Sequence, residues 1–110
     1  MNQSGQVSPR AARILIVEDE LAQREFLSCN LSAEGWVIIE AADGEEGLLL
    51  AQDSHPDAIV LGCVLPGRSG PELCRELEAR RRFRDVPILM LSARAEGEDR
   101  VRGLDTSADA

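Results

Sequence analysis

Two carboxylates stand side by side in Glu18-Asp19, directly after the apolar run Ile14 to Val17. Where a strand gives way to a loop, such a pair can hold a hard divalent cation such as magnesium, which takes oxygen ligands and keeps water for the rest. The competing role is structural, because acids at a helix start complement the positive end of its dipole. Other groups capable of chemistry follow later apolar stretches: Gly62-Cys63 and the loop CVLPGRSG after Ala58 to Leu61, and Ser92-Ala93 after Val86 to Leu91. If the apolar stretches are parallel strands, these positions converge, since function in open parallel sheets gathers outside the carboxyl ends of the strands.

The remaining reactive residue types are sparse. The single histidine, His55, precedes Pro56 with no acid or nucleophile patterned around it, and is read as a surface or turn residue. Three cysteines without close pairing supply neither a disulfide framework nor a zinc ligand set, and read as reduced thiols. Cys29 and Cys74 fall on helical faces as small core hydrophobes. Trp36 opens the second strand as a packing residue. The run Arg80-Arg81-Arg82 with Arg84 ends a helix, where cations suit the dipole, with a basic partner patch as its alternative reading.

The elements that must position these groups follow from patterning. Ile14 to Val17, a continuous aliphatic run, suits a strand covered on both faces and hence a parallel one. Apolar Ala22, Phe26, Cys29 and Ala33 recur at helical spacing, with Gly35 as the stop. Trp36 to Ala41 reads as a second strand, and Asp43-Gly44 opens a helix to about Asp53, broken by His55-Pro56. Ala58 to Leu61 forms a third strand. Ser69-Gly-Pro-Glu72 is a capping box with proline in the first turn of a helix carrying Leu73, Cys74 and Leu77. Val86 to Leu91 is a fourth strand, and Glu96 to about Thr106 a fourth helix. Four strand-helix units argue for an α/β fold with a parallel sheet and right-handed crossovers. The polar stretch 1–12 reads as a flexible leader, and 13–110 as the domain.

Composition bounds the function. The chain of 110 residues has room for one domain at about 150 residues per domain. Twenty acids against twelve bases give a net charge of -8, which argues against direct nucleic-acid binding. All twelve bases are arginine; there is no lysine. No apolar run approaches the ~20 residues of a membrane helix, so a cytoplasmic protein without membrane contact is expected.

Taken together, ILIVEDE, PDAIVLGCVLPGRSG, VPILMLSAR and EDRVRGLDTSADA, in this order and at these spacings, resemble the receiver domain of two-component response regulators, from about Arg13 to Asp109. The likeness is greatest to receivers that precede winged-helix DNA-binding domains, the phosphate-regulon class. The resemblance implies a flavodoxin-like doubly wound sheet of strand order 2-1-3-4-5. It also implies that Glu18 and Asp19 form a magnesium-binding acidic pocket, that the backbone carbonyl of Val64 is a further ligand, and that Ser92 is the hydroxyl that senses a phosphoryl group. Histidine kinases or phosphotransfer proteins, docking near helix one, are the implied partners.

The chain departs from that family at decisive points. The phosphoacceptor aspartate stands five residues before the glycine of the LPG loop, and here that position is Gly62, which has no side chain to phosphorylate. Asp57 lies at the opposite end of the strand, roughly 16 Å away at 3.3 Å per residue. Cys63 points to the other face of the strand and is a poor stand-in for a carboxylate. The family's lysine has no counterpart, and strand five and helix five, which would follow Ala110, are absent, so only four of five units are expected. Strand four, with Ile88, Leu89 and Leu91, would then be an unprotected edge through which the chain could self-associate. The reading is a receiver-like signalling module, not an enzyme, that cannot accept phosphate, binds magnesium weakly and acts by protein contact. Two alternatives stand beside it: phosphoryl transfer through Asp19 or Glu18, and an unrelated flavodoxin-like ligand binder. Against the latter, acids rather than a glycine-rich phosphate loop follow strand one.

Overall fold

In the computed structural model, the described residues are 11–91. Ser92 and the helix expected over Glu96 to Thr106 lie outside them, as do residues 1–10. Strands β1 (Arg13–Val17), β2 (Val37–Ala41), β3 (Ala58–Gly62) and β4 (Ile88–Leu91) alternate with helices α1 (Leu21–Ser32), α2 (Gly44–Ser54) and α3 (Gly70–Glu78). A 3-10 turn at Arg81–Phe83 follows α3. The strands make one parallel sheet in the order β2-β1-β3-β4. This is the order 2-1-3-4 implied by the resemblance.

The continuous apolar character of β1 is explained by its central place. Leu15, Ile16 and Val17 are completely buried, because both faces of the sheet are covered. Alternation with period two sends Leu15, Val17, Ile59 and Leu61 to one face, where Ala51 of α2 and Leu73 and Leu77 of α3 close the larger core with Phe83. Ile14, Ile16, Val60 and Leu91 face the other way, against Leu27 and Leu31 of α1. Cys29 and Cys74 thus sit on helices of opposite layers.

Helix ends follow their sequence signals. Asp43 accepts from the Glu46 N–H at 2.8 Å while the Glu46 carboxylate accepts from the Ala42 N–H at 2.9 Å, fixing the start of α2. Ser69 and Glu72 form the expected reciprocal capping box. His55 ends α2 in the left-handed conformation, φ 50°. The Ala12 carbonyl already accepts from the Val37 N–H at 2.8 Å, so chain pairing starts one residue before β1.

Two expectations are corrected. The face of α1 turned to the sheet is not Ala22, Phe26, Cys29 and Ala33, all of which are exposed, with Phe26 at 66%. Leu27 and Leu31 pack instead, on a stripe shared with Arg24 and Ser28. Those two polar residues belong on the inner face because their heads bond Glu18 and Glu40, and their polarity hid the stripe from an apolar count. Cys29 is therefore no core residue, and Trp36 precedes β2 with 40% of its surface exposed. Among the described residues β4 is the outermost strand on its side, yet Met90 and Leu91 are buried and Ile88 and Leu89 half-buried.

Candidate functional site

Register places the site. Val17 pairs with Leu61 across β1 and β3, so Glu18, one residue on, comes level with Gly62 at the carboxyl edge of the sheet. Gly62 in turn pairs with Leu91 of β4, the residue before Ser92. The strand ends that carry Glu18, Asp19 and Gly62 are thus neighbours, as their spacing required. Asp57 is at the amino end of β3, where its carboxylate accepts from the Arg13 N–H at 2.8 Å.

Glu18 is the only charged residue in the buried set of the described chain, at 9% exposure, whereas Asp19 and Glu20 are exposed. Its backbone is fixed at both polar atoms: the N–H donates to the Ala41 carbonyl at 3.0 Å, and the carbonyl accepts from Arg24 Nη1 at 2.6 Å. Its carboxylate turns back, and Oε2 accepts from the Glu20 N–H at 2.9 Å at the head of α1. Burial pushes the Glu18 carboxyl above the usual glutamate range. The Glu20 N–H bond offsets part of that, while a hydrogen bond and charge from Asp19 and the charge of Glu20 add to it.

Gly62 explains where that carboxylate goes. A Cβ built on Gly62 would lie 2.5 Å from Glu18 Oε1 and 3.4 Å from Leu65 Cδ2. The space that any side chain at position 62 would enter is therefore taken by Glu18. The backbone beyond is drawn in tightly: the Gly70 N–H donates to the Cys63 carbonyl at 2.9 Å, and a Cβ on Gly70 would run into the Gly62 carbonyl. Cys63 is half-buried just past the strand, and Val64 stands in the loop with its side chain exposed.

Arg24 and Arg68 are the site residues that spacing alone did not disclose. Arg24 Nε also meets Glu40 Oε1 at 3.1 Å, and Ser28 donates to the other Glu40 oxygen at 3.0 Å, tying α1 to β2 around the Glu18 carbonyl. Arg68 clamps the loop after β3 between two helices, 2.8 Å from Glu45 of α2 and 2.6 Å from Glu76 of α3. The available signal for Arg24 was its place one turn before Leu27 and two before Leu31 on the same helical stripe. Arg68 had no such signal, since its partners lie 23 and 8 residues away.

Residues 14–110 match the family model for the response regulator receiver domain. The chain belongs to the response regulator receiver family. The phosphate regulon transcriptional regulatory protein PhoB of Escherichia coli K12 is 43% identical over 99 residues, covering 90% of this chain and 43% of that protein. Response regulator MprA of Mycobacterium sp. strain KMS is 45% identical over 97 residues, covering 88% of this chain and 41% of MprA. The receiver thus spans less than half the length of these curated relatives. Among solved structures, the chemotaxis response regulator CheY4 of Vibrio cholerae superposes with a TM-score of 0.75 at 29% identity, covering 90% of this chain and 82% of that one. A response regulator of Chloroflexus aurantiacus J-10-fl gives 0.78 at 31%, covering 91% and 82%. The fold is accordingly flavodoxin-like.

The pocket fits the magnesium implied by the receiver resemblance poorly in this arrangement. Among the described residues, no group of three or more His, Cys, Asp or Glu side chains is placed to hold a metal ion. One Glu18 oxygen is committed to the Glu20 N–H and the other fills the space beside Gly62. Also among the described residues, no helix is long and apolar enough to cross a membrane.

Proposed function

We propose that this receiver is a signalling module of a two-component system that takes up no phosphoryl group and works by protein contact. The observation that carries the reading is Gly62, at the carboxyl end of β3 and level with Glu18, where a receiver's accepting side chain would stand. Glycine offers no carboxylate, so no acyl phosphate forms there.

Its partners in this reading are histidine kinases or phosphotransfer proteins of the kind that serve receivers, met at α1 and the loop after β3 in the cytoplasm. The exposed Leu21 and Phe26 of α1 and Val64 of the loop supply apolar contact area for such docking. The module is not an enzyme in this account, because nothing at position 62 can enter or leave a covalent intermediate. Magnesium affinity is weak.

The test is the amide spectrum of isotope-labelled protein in magnesium buffer, recorded before and after adding a small phosphodonor such as acetyl phosphate. The two spectra should superimpose. New shifts of Glu18, Asp19, Gly62 and Ser92 on adding the phosphodonor would show that the pocket is phosphorylated and would refute the reading.

A further inference from the structure

We infer that Glu18 is the pocket's built-in occupant: its carboxylate fills the space beside Gly62 and keeps the acidic pocket closed to divalent cations. The inference deepens the reading just given. It rests on the missing side chain at position 62, not on whether the chain is phosphorylated by some other route.

Three features hold the carboxylate there. Oε1 stands 2.5 Å from the position a Cβ would occupy on Gly62, a separation that real side-chain carbons do not tolerate. The arrangement therefore exists only because residue 62 is glycine. Oε2 accepts from the Glu20 N–H, so the oxygen that does not fill the Gly62 space is hydrogen-bonded within the chain. The backbone of residue 18 cannot re-aim the side chain, being held by Ala41 on one side and Arg24 on the other. Only rotation about the Glu18 side-chain bonds remains.

A hard cation needs carboxylate oxygens that are free to turn toward it. To enter here it must break the bond from the Glu20 N–H and pull the carboxylate out of the Gly62 space, leaving a void against Leu65. The low affinity thus has a steric component as well as a missing ligand, and the two can be separated. A methyl group at position 62 adds no ligand, yet it evicts Oε1. Shortening residue 18 by one methylene keeps its charge, yet withdraws it from Gly62.

The experiment is magnesium chloride titration of the wild-type protein, Gly62→Ala and Glu18→Asp, followed by the amide shifts of Asp19 and Glu20. Each variant should bind magnesium about fivefold more tightly than wild type, equivalent to about 1 kcal/mol, without gaining a carboxylate. Unchanged or weaker binding by a folded Gly62→Ala overturns the inference. Should that variant fail to fold, Glu18→Asp decides alone, and unchanged or weaker binding by it overturns the inference equally. Gly62→Asp is not diagnostic because it supplies a new ligand. Phosphorylation is read separately, from the mass of the wild-type chain after exposure to a phosphodonor, so failure of the functional reading is distinguishable from failure of this one.

Discussion

Replacing Arg24 by alanine removes the group that fixes the Glu18 backbone, and the cost can be worked from its contacts. Nη1 donates to the Glu18 carbonyl at 2.6 Å from a side chain only 16% exposed. A hydrogen bond from a charged donor in such a place contributes about 1.5–3 kcal/mol, and its loss leaves a carbonyl unsatisfied beside a buried carboxylate. The pair with Glu40, whose side chain is 41% exposed, adds no more than about 1 kcal/mol. Because the two share one guanidinium they do not add fully, and Arg24→Ala should destabilise by about 2.5 kcal/mol. Urea unfolding followed by far-ultraviolet circular dichroism reads this directly. With a slope of about 1.5 kcal/mol/M the midpoint should fall by about 1.7 M. Arg24→Lys, which keeps the charge but loses the planar fork, should fall by less than half as much. Phe26→Ala, on the exposed face of the same helix, is the control and should change the midpoint little. Equal shifts for Arg24→Ala and Phe26→Ala would refute the assignment of the packed face and of the role given to Arg24.

Gly70→Ala places a methyl against the Gly62 carbonyl and 3.1 Å from Cys63 Cα, both backbone and neither able to rotate away. The gain in helix propensity does not offset this, and a net loss of about 2 kcal/mol is expected in thermal unfolding; a more stable variant would contradict the close approach. Iodoacetamide at about pH 8 should modify exposed Cys29 long before Cys74. Burial pushes the Cys74 thiol up to about 11, with Glu78 adding by charge and hydrogen bond and Arg75 opposing; peptide mass mapping showing equal rates would contradict this. In metal-free buffer Glu18→Gln should stabilise the fold at neutral pH. The native carboxyl titrates above its ordinary 4.5, so between that value and the raised one the folded state holds more protons than the unfolded. Stability therefore declines as pH rises through that window, and the cost is fully present above it. The glutamine variant should lose that decline in denaturant midpoints measured across the window, and a variant less stable than wild type at neutral pH would refute the assignment.

Much of the fold was legible because its signals are local. The buried run Ile14 to Val17, the Ser69–Glu72 capping box and the Asp43 cap depend on residues within a few positions, and each formed where its chemistry directs. The α1 face was misread because its inner stripe contains Arg24 and Ser28, while Phe26 and Cys29 look outward. Apolar counting fails where polar heads are satisfied across elements, and the partner Glu40 lies 16 residues from Arg24. At the site, the pairing of Glu18 with position 62 followed from strand ends in a parallel sheet. That the carboxylate would fold into the Gly62 space did not, because it depends on a side-chain rotation set by the Glu20 N–H and by the open space beside Gly62.

The central claim is that position 62 leaves this receiver without a phosphoacceptor. Its most direct measurement is the intact mass of the wild-type protein after incubation with acetyl phosphate and magnesium, quenched before hydrolysis. The mass of the unmodified chain is expected at every time point. A species heavier by one phosphoryl group, wherever it maps along the chain, would contradict it.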